Sequence, residues 1–198
     1  MKIFLETQRL IMRRLTEDDI DNLFELDSDV DVVRFANADG KPTPYGVMKQ
    51  QTLPRFLSYY EMYENYGLWA AIEKSSNEFI GWFHLRPNLN NPAINDVDEI
   101  ELGYRLKKSV WGKGYATEGS RALVLKGFSE LGVKRVVSTA LVANKASIRV
   151  MEKAGLKFEK NFMEKRFTGG SQEAVKYSLN KDEFQMDEYL KSTDIVKS

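Results

Sequence analysis

The chain has no cysteine, a single histidine and no charge excess of either sign. Without cysteine there is no disulfide, no thiolate metal site and no cysteine nucleophile. One histidine, and no H-E-x-x-H-like pair, leaves a zinc centre without its usual ligands. Lys+Arg and Asp+Glu both number 29, so no global field draws the chain to nucleic acid or anionic lipid. No run approaches the roughly 18 apolar residues of a membrane span, and the first residues lack a signal peptide's apolar core. These absences describe a cytoplasmic protein, monomer or homodimer, that takes its chemistry from a bound small molecule. Metal, membrane and nucleic acid are not among its expected partners.

What is present suits one sizeable domain. The chain has 198 residues, 42% hydrophobic and 12% aromatic, enough to bury a core. Residues 1–180 read as that domain and residues 181–198 as a polar, frayed tail. No internal repeat appears.

The most informative stretch is Trp111-Gly112-Lys113-Gly114-Tyr115-Ala116-Thr117. It stands between an alternating strand, Val97 to Leu106, and a helical pattern ending near Leu131, with Gly132 as its C-terminal stop. Glycines on both sides of Lys113 permit φ > 0 and a close approach to the main chain. The first amides of the following helix have no intrahelical partners, so the loop suits a phosphate or pyrophosphate. It is not a Walker loop, because G-x-x-x-x-G-K-[ST] is absent. A dinucleotide fingerprint would need a third glycine and a continuously apolar parallel strand before it. Here the strand alternates.

The remaining pattern predicts a first strand over Ile3 to Leu15 and a helix capped by Thr16 with acids in its first turn. An irregular loop follows over Asp27 to Tyr45, with one helical turn near Val32 to Phe35. A helix is expected from Val47 to Asn65, kinked or restarted at Pro54. Leu68–Glu73 and Phe79–Leu85 form a hairpin, and Pro87 to Asn95 a loop. Arg135 to Val142 is a buried strand, Asn144 caps a short helix ending at Gly155, and a last hairpin pairs Leu156–Phe167 with Ala174–Leu179. The aromatic cluster of Phe56, Tyr59, Tyr60, Tyr63 and Tyr66 reads as packing.

Three segments together resemble the GNAT superfamily of N-acetyltransferases, in the branch that contains ribosomal-protein N-terminal acetyltransferases. Thr7-Gln8-Arg9-Leu10-Ile11-Met12-Arg13 is similar to that branch's opening. Ile100-Glu101-Leu102-Gly103-Tyr104, with the glycine loop through Glu118, is similar to its acetyl-CoA signature. The run from Asn144 through Ser147 to Met151-Glu152-Lys153-Ala154-Gly155-Leu156 is similar to its second signature. The resemblance implies an α+β fold: a mixed, mainly antiparallel sheet, splayed beside the loop and flanked by helices. It also implies acetyl-CoA as co-substrate and transfer to a primary amine, on a protein N-terminus or a small molecule, within a ternary complex. The loop from Trp111 to Thr117 and Asn144 would then bind the cofactor, Trp111 replacing the usual Arg or Gln.

Such a reaction needs a neutral amine and a proton for the departing thiolate. Glu99 and Glu101 lie two apart on one strand face, which Gly103 continues without a side chain, leaving room for substrate. Either can serve as base, with Glu101 favoured because it is nearer the loop. His84 is a third candidate by its ordinary pKa of about 6.5. Ser147 matches a position that can hydrogen-bond the departing sulfur. Tyr115 either covers the cofactor or packs. Arg149 and Lys153 either meet the nucleotide's phosphate or remain solvated. The rival reading is a catalytically silent acyl-CoA-binding protein of the same fold, which would share the loop but need no acceptor site.

Overall fold

The computed structural model describes residues 3–87, 98–186 and 189. Its strands are β1 (Ile3–Glu6), β2 (Leu10–Arg14), β3 (Gly67–Glu73), β4 (Phe79–Pro87), β5 (Glu99–Leu106), β6 (Arg135–Leu141), β7 (Lys157–Glu164) and β8 (Gln172–Asn180). They form one eight-stranded sheet in the order β1-β2-β3-β4-β5-β6-β8-β7. Among these neighbours only β5 and β6 run parallel. Their pairing starts at Glu99↔Arg135 and ends at Glu101↔Val137, after which the strands diverge. The result is the expected mixed, mainly antiparallel, splayed sheet, and its wedge opens towards the glycine loop.

Helices cover both faces. On one lie α1 (Ile20–Ser28), α2 (Val30–Val33) and a longer rod. The rod starts as α3 (Tyr45–Val47), passes through a π-helical turn (Met48–Thr52) and resumes as α4 (Leu53–Met62). Pro54 therefore sits in the first turn of the resumed helix, where its missing N–H matters least. Leu23, Leu26, Val33, Met48, Leu53 and Phe56 pack here on Leu68, Ala70 and Trp82. The other face carries α5 (Tyr115–Ser129) and α6 (Lys145–Lys153). Leu123, Val124 and Phe128 of α5 are buried with Phe83, Leu85, Ile100 and Leu102. Each such side chain contributes about 1.5–3 kcal/mol by leaving water, which fixes α5, and with it the glycine loop, against β5.

Two expectations are corrected. Ile3 to Leu15 is not one strand but the hairpin β1–β2. Thr7 turns the chain: its N–H donates to the Leu10 carbonyl at 2.9 Å and its hydroxyl accepts from the Leu10 N–H at 2.9 Å. A short polar side chain has here displaced the strand ladder. The tail from Lys181 is not frayed throughout. Lys181–Glu183 forms a 3-10 turn, and Phe184 and Tyr189 pack on the core behind α5. The Tyr189 hydroxyl donates to the Ala154 carbonyl at 3.1 Å. The loop read over Pro87 to Asn95, and the strand start at Val97, fall almost wholly outside the described residues. No helix among the described residues is long and apolar enough to cross a membrane.

Candidate active site

The glycine loop joins β5 to α5, and the molecule's first strands hold it in place. Gly112 and Gly114 both have positive φ, +75° and +86°, and Gly114 is the N-cap of α5. Among the described residues no side chain caps this helix. Its first-turn amides are thus free for an anion, and the helix dipole favours one. Arg9 locks the loop. Its Nη1 donates to the Lys113 carbonyl at 2.9 Å and its Nε to Glu118 Oε2 at 2.6 Å. Thr7 and the Arg9 N–H also donate to Glu118. The opening T-x-R pattern and the loop's Glu118 are therefore one mechanical unit, a link that neither motif reveals alone.

A cavity of about 400 Å³ lies against this loop, lined by Trp111, Gly112, Gly114, Tyr115, Ala116 and Thr117 and, from α6, by Ser147, Arg149 and Lys153. Asn144, at the N-cap of α6, lines it too, and its Oδ1 accepts from the Ser147 N–H at 3.2 Å. The Trp111 indole donates to the Leu106 carbonyl at 2.9 Å, which fastens the end of β5. Lys113 does not line the cavity with its side chain; its carbonyl is engaged by Arg9. Tyr115 packs rather than covers. Its side chain is buried, stacks under Arg9 at 4.3 Å and donates to Glu73. The donor set fits the phosphates of a coenzyme A: helix-terminal amides flanked by two cations.

A second cavity, about 670 Å³, opens on the other side of the wedge. Glu101, His84, Arg86, Tyr59, Ser138 and Glu164 stand on its wall. Both cavities share Phe35, Tyr104, Asn144 and Ser147. Tyr104, named in the sequence only as the end of the Ile100–Tyr104 motif, is the residue the sequence reading missed. Burial pushes its phenol pKa up, only partly offset by the Ser147 hydroxyl beside it. It sits two residues from Leu106, where β5 has already left β6; its closeness to the glycine loop was the available signal.

The three candidate bases are separated by their surroundings. Both glutamates are buried, not spread over a solvated face. Glu99 is engaged: Lys176 Nζ donates to its two oxygens at 2.6 and 2.8 Å, and Arg135 Nε to one at 3.1 Å. It holds β5, β6 and β8 together and does not line the larger cavity. Glu101 does line it, with Arg86 Nη2 at 3.7 Å and His84 Nε2 at 3.4 Å from the same carboxylate oxygen. Burial, with the nearby Arg86 and Arg105 charges, holds the His84 pKa well below its usual 6.5. The ring is therefore neutral and its contact with Glu101 is not an ion pair. Neither ring nitrogen has a hydrogen-bond partner among the described residues. Gly103 does not leave room for substrate. A Cβ there would come within 2.5 Å of His84 Nε2, so glycine makes room for the imidazole across the strand.

A family model described as an acetyltransferase (GNAT) domain matches residues 9–157. The chain belongs to the GNAT acetyltransferase family. It is an acetyl-CoA-dependent N-acetyltransferase. The chain is 31% identical over 186 residues to the FsC-acetyl coenzyme A-N(2)-transacetylase of Aspergillus fumigatus, across 91% of this chain and 77% of that protein. RimL, a ribosomal L7/L12 alpha-N-protein acetyltransferase solved with coenzyme A, superposes with a TM-score of 0.74 at 17% identity. That match covers 92% of this chain and 100% of RimL. The aminoglycoside acetyltransferase AAC(6')-Ib, also solved with coenzyme A, gives 0.71 at 22% identity, over 88% and 96% of the two chains. At these identities the structural likeness concerns the fold.

Proposed function

We propose that this GNAT enzyme transfers the acetyl group of acetyl-CoA to a primary amine bound in the larger cavity, by direct attack within a ternary complex. The observation that carries this reading is the shared wall. Tyr104, Asn144 and Ser147 border both cavities, so an amine on one side and a thioester on the other meet without an enzyme-bound relay. Acetyl-CoA supplies an activated carbonyl. Amides of the Gly112–Thr117 loop, with Arg149 and Lys153, bind its phosphates. Glu101 removes the proton of the amine, with the His84 ring 3.4 Å from that carboxylate. Ser147, beside Tyr104, donates a hydrogen bond to the sulfur as it leaves, and the coenzyme A thiolate then takes its proton from solvent.

The relatives support N-acetyl transfer but differ in acceptor, one named for FsC, one for a protein α-amine, one for aminoglycosides. Likeness to them does not choose among a protein N-terminus and a small-molecule amine. Free-thiol release from acetyl-CoA, measured against a panel of amines, tests the reading. Amine-dependent release supports it. Tight acetyl-CoA binding with no release above hydrolysis for any amine would favour the silent acyl-CoA-binding alternative.

A further inference from the structure

The larger cavity carries more positive charge than its own acids engage. Arg105 donates to Asp27 and, at 3.2 Å, to Asn37 Oδ1. Glu164 accepts from the Arg166 N–H at 3.1 Å and lies 3.7 Å from the Arg166 side chain, so it faces its own arginine. Glu101 has Arg86 beside it. Arg55 has no carboxylate partner among the described residues. It projects from α4 one turn before Tyr59, whose hydroxyl accepts from Arg86 Nη1 at 3.0 Å and whose ring lies 4.9 Å under that guanidinium. Tyr59 holds Arg86, and Arg55, one turn away on the same helix, lines the same cavity. Arg86 Nε is buried and has no hydrogen-bond acceptor among the described residues. Partial burial, and then repulsion from Arg86 and Arg105, lowers the Arg55 pKa, as expected where cations crowd one side of a chamber.

A wall of this kind is built for an anion. A guanidinium with an unengaged Nε–H presents an edge that a carboxylate fills with two parallel hydrogen bonds. An unpaired second arginine nearby supplies the charge. Polycationic acceptors would meet the opposite field, because Glu101 and Glu164 already face arginines and leave Asp39 as the lining acid without one among the described residues. We propose that the acceptor bears a carboxylate as well as its amine, and that Arg55 and Arg86 bind that carboxylate while Glu101 receives the amine's proton. The acceptor class is then an amino acid, or a peptide with an acidic residue near its N-terminus. This rests on the larger cavity being the acceptor site.

The test uses matched acceptors: ω-amino acids from glycine to aminohexanoate, each beside its carboxamide, and the C-terminal amide of glycyl-aspartate beside that of glycyl-asparagine. Thiol release at saturating acetyl-CoA gives kcat/KM for each pair. Calorimetry of the same compounds on the coenzyme A complex gives binding without turnover. The expected result is a preference of about tenfold or more for the carboxylate at the best chain length, in both measurements. Arg55→Gln should shrink that preference to within about twofold, and Arg55→Lys should restore part of it, as a point charge without the fork. Arg55 lines the cavity but is exposed, so equal melting curves would show that the variants fold alike. Neutral amines, polyamines or amides used as well as carboxylates would overturn the proposal and leave acetyl transfer standing. No release with any acceptor, from a chain that binds acetyl-CoA, would overturn both.

Discussion

Replacing Gly114 by valine should weaken acetyl-CoA binding far more than any side-chain change in the same loop. Gly114 holds φ +86° and ψ −4° at the N-cap of α5, a left-handed conformation. An L-residue there costs about 1–2 kcal/mol, and a β-branched one at least as much. A Cβ would also stand 3.3 Å from Arg9 Nη2, the arm that pairs with Glu118, so the arginine must yield a few tenths of an ångström. If the loop must be forced back into this shape on binding, the apparent affinity falls by the fraction of chains that hold it. A cost of about 1–2 kcal/mol corresponds to roughly 5- to 30-fold. Calorimetric titration with acetyl-CoA measures this directly, with circular dichroism to show that the fold survives. Lys113→Ala removes a side chain that lines neither of the two cavities and leaves the Arg9-bound carbonyl in place. Its effect should stay within about twofold. Unchanged affinity in Gly114→Val, or a larger loss in Lys113→Ala, would refute backbone binding by this loop.

Ser147→Ala should lower kcat by up to about 100-fold with little change in acetyl-CoA affinity; an unchanged kcat, with chemistry shown to be rate-limiting, would reduce Ser147 to a helix-start residue. Glu101→Gln keeps the shape but deletes the basic site, so rates near pH 7 should fall most for amines with a pKa of about 10.4 and recover as pH rises. The loss for an α-amine should nearly vanish by about pH 9, because its own pKa is about 7.7–8.0; the same loss at every pH would make Glu101 a positioning residue. Glu99→Gln removes a full charge from beside Lys176, which is 2% exposed. Urea denaturation should show a loss of about 3–5 kcal/mol, while kcat/KM of the folded fraction changes little; a selective loss of kcat without loss of stability would return Glu99 to the list of bases.

Which parts were readable from sequence follows from how local their causes are. The glycine loop, the Asn144 cap and the alternation of β5 each depend on a few consecutive residues, and each stands where the sequence placed it. The hairpin turn at Thr7 was lost because one hydroxyl outcompetes a strand pattern that looks continuous from Ile3 to Leu15. Gly103 was misread because its neighbour, His84, lies across a strand pair and not along the chain. Glu99 and Glu101 look equivalent in sequence. Lys176, brought by β8, separates them, and nothing near residue 99 announces it. Arg55 and Arg86 come to one cavity only once α4 packs on the sheet, where Tyr59 holds Arg86. The proposed cofactor side of the site is thus written in local motifs, and the proposed acceptor side in tertiary contacts.

The central claim is that amine and thioester meet directly at the wall shared by the two cavities. Initial rates measured over a grid of acetyl-CoA and amine concentrations, with intact mass of the chain after incubation with acetyl-CoA alone, test it most directly. The account predicts intersecting double-reciprocal lines and an unmodified chain. Parallel lines, together with an acetyl-sized mass increase that disappears when amine is added, would contradict it.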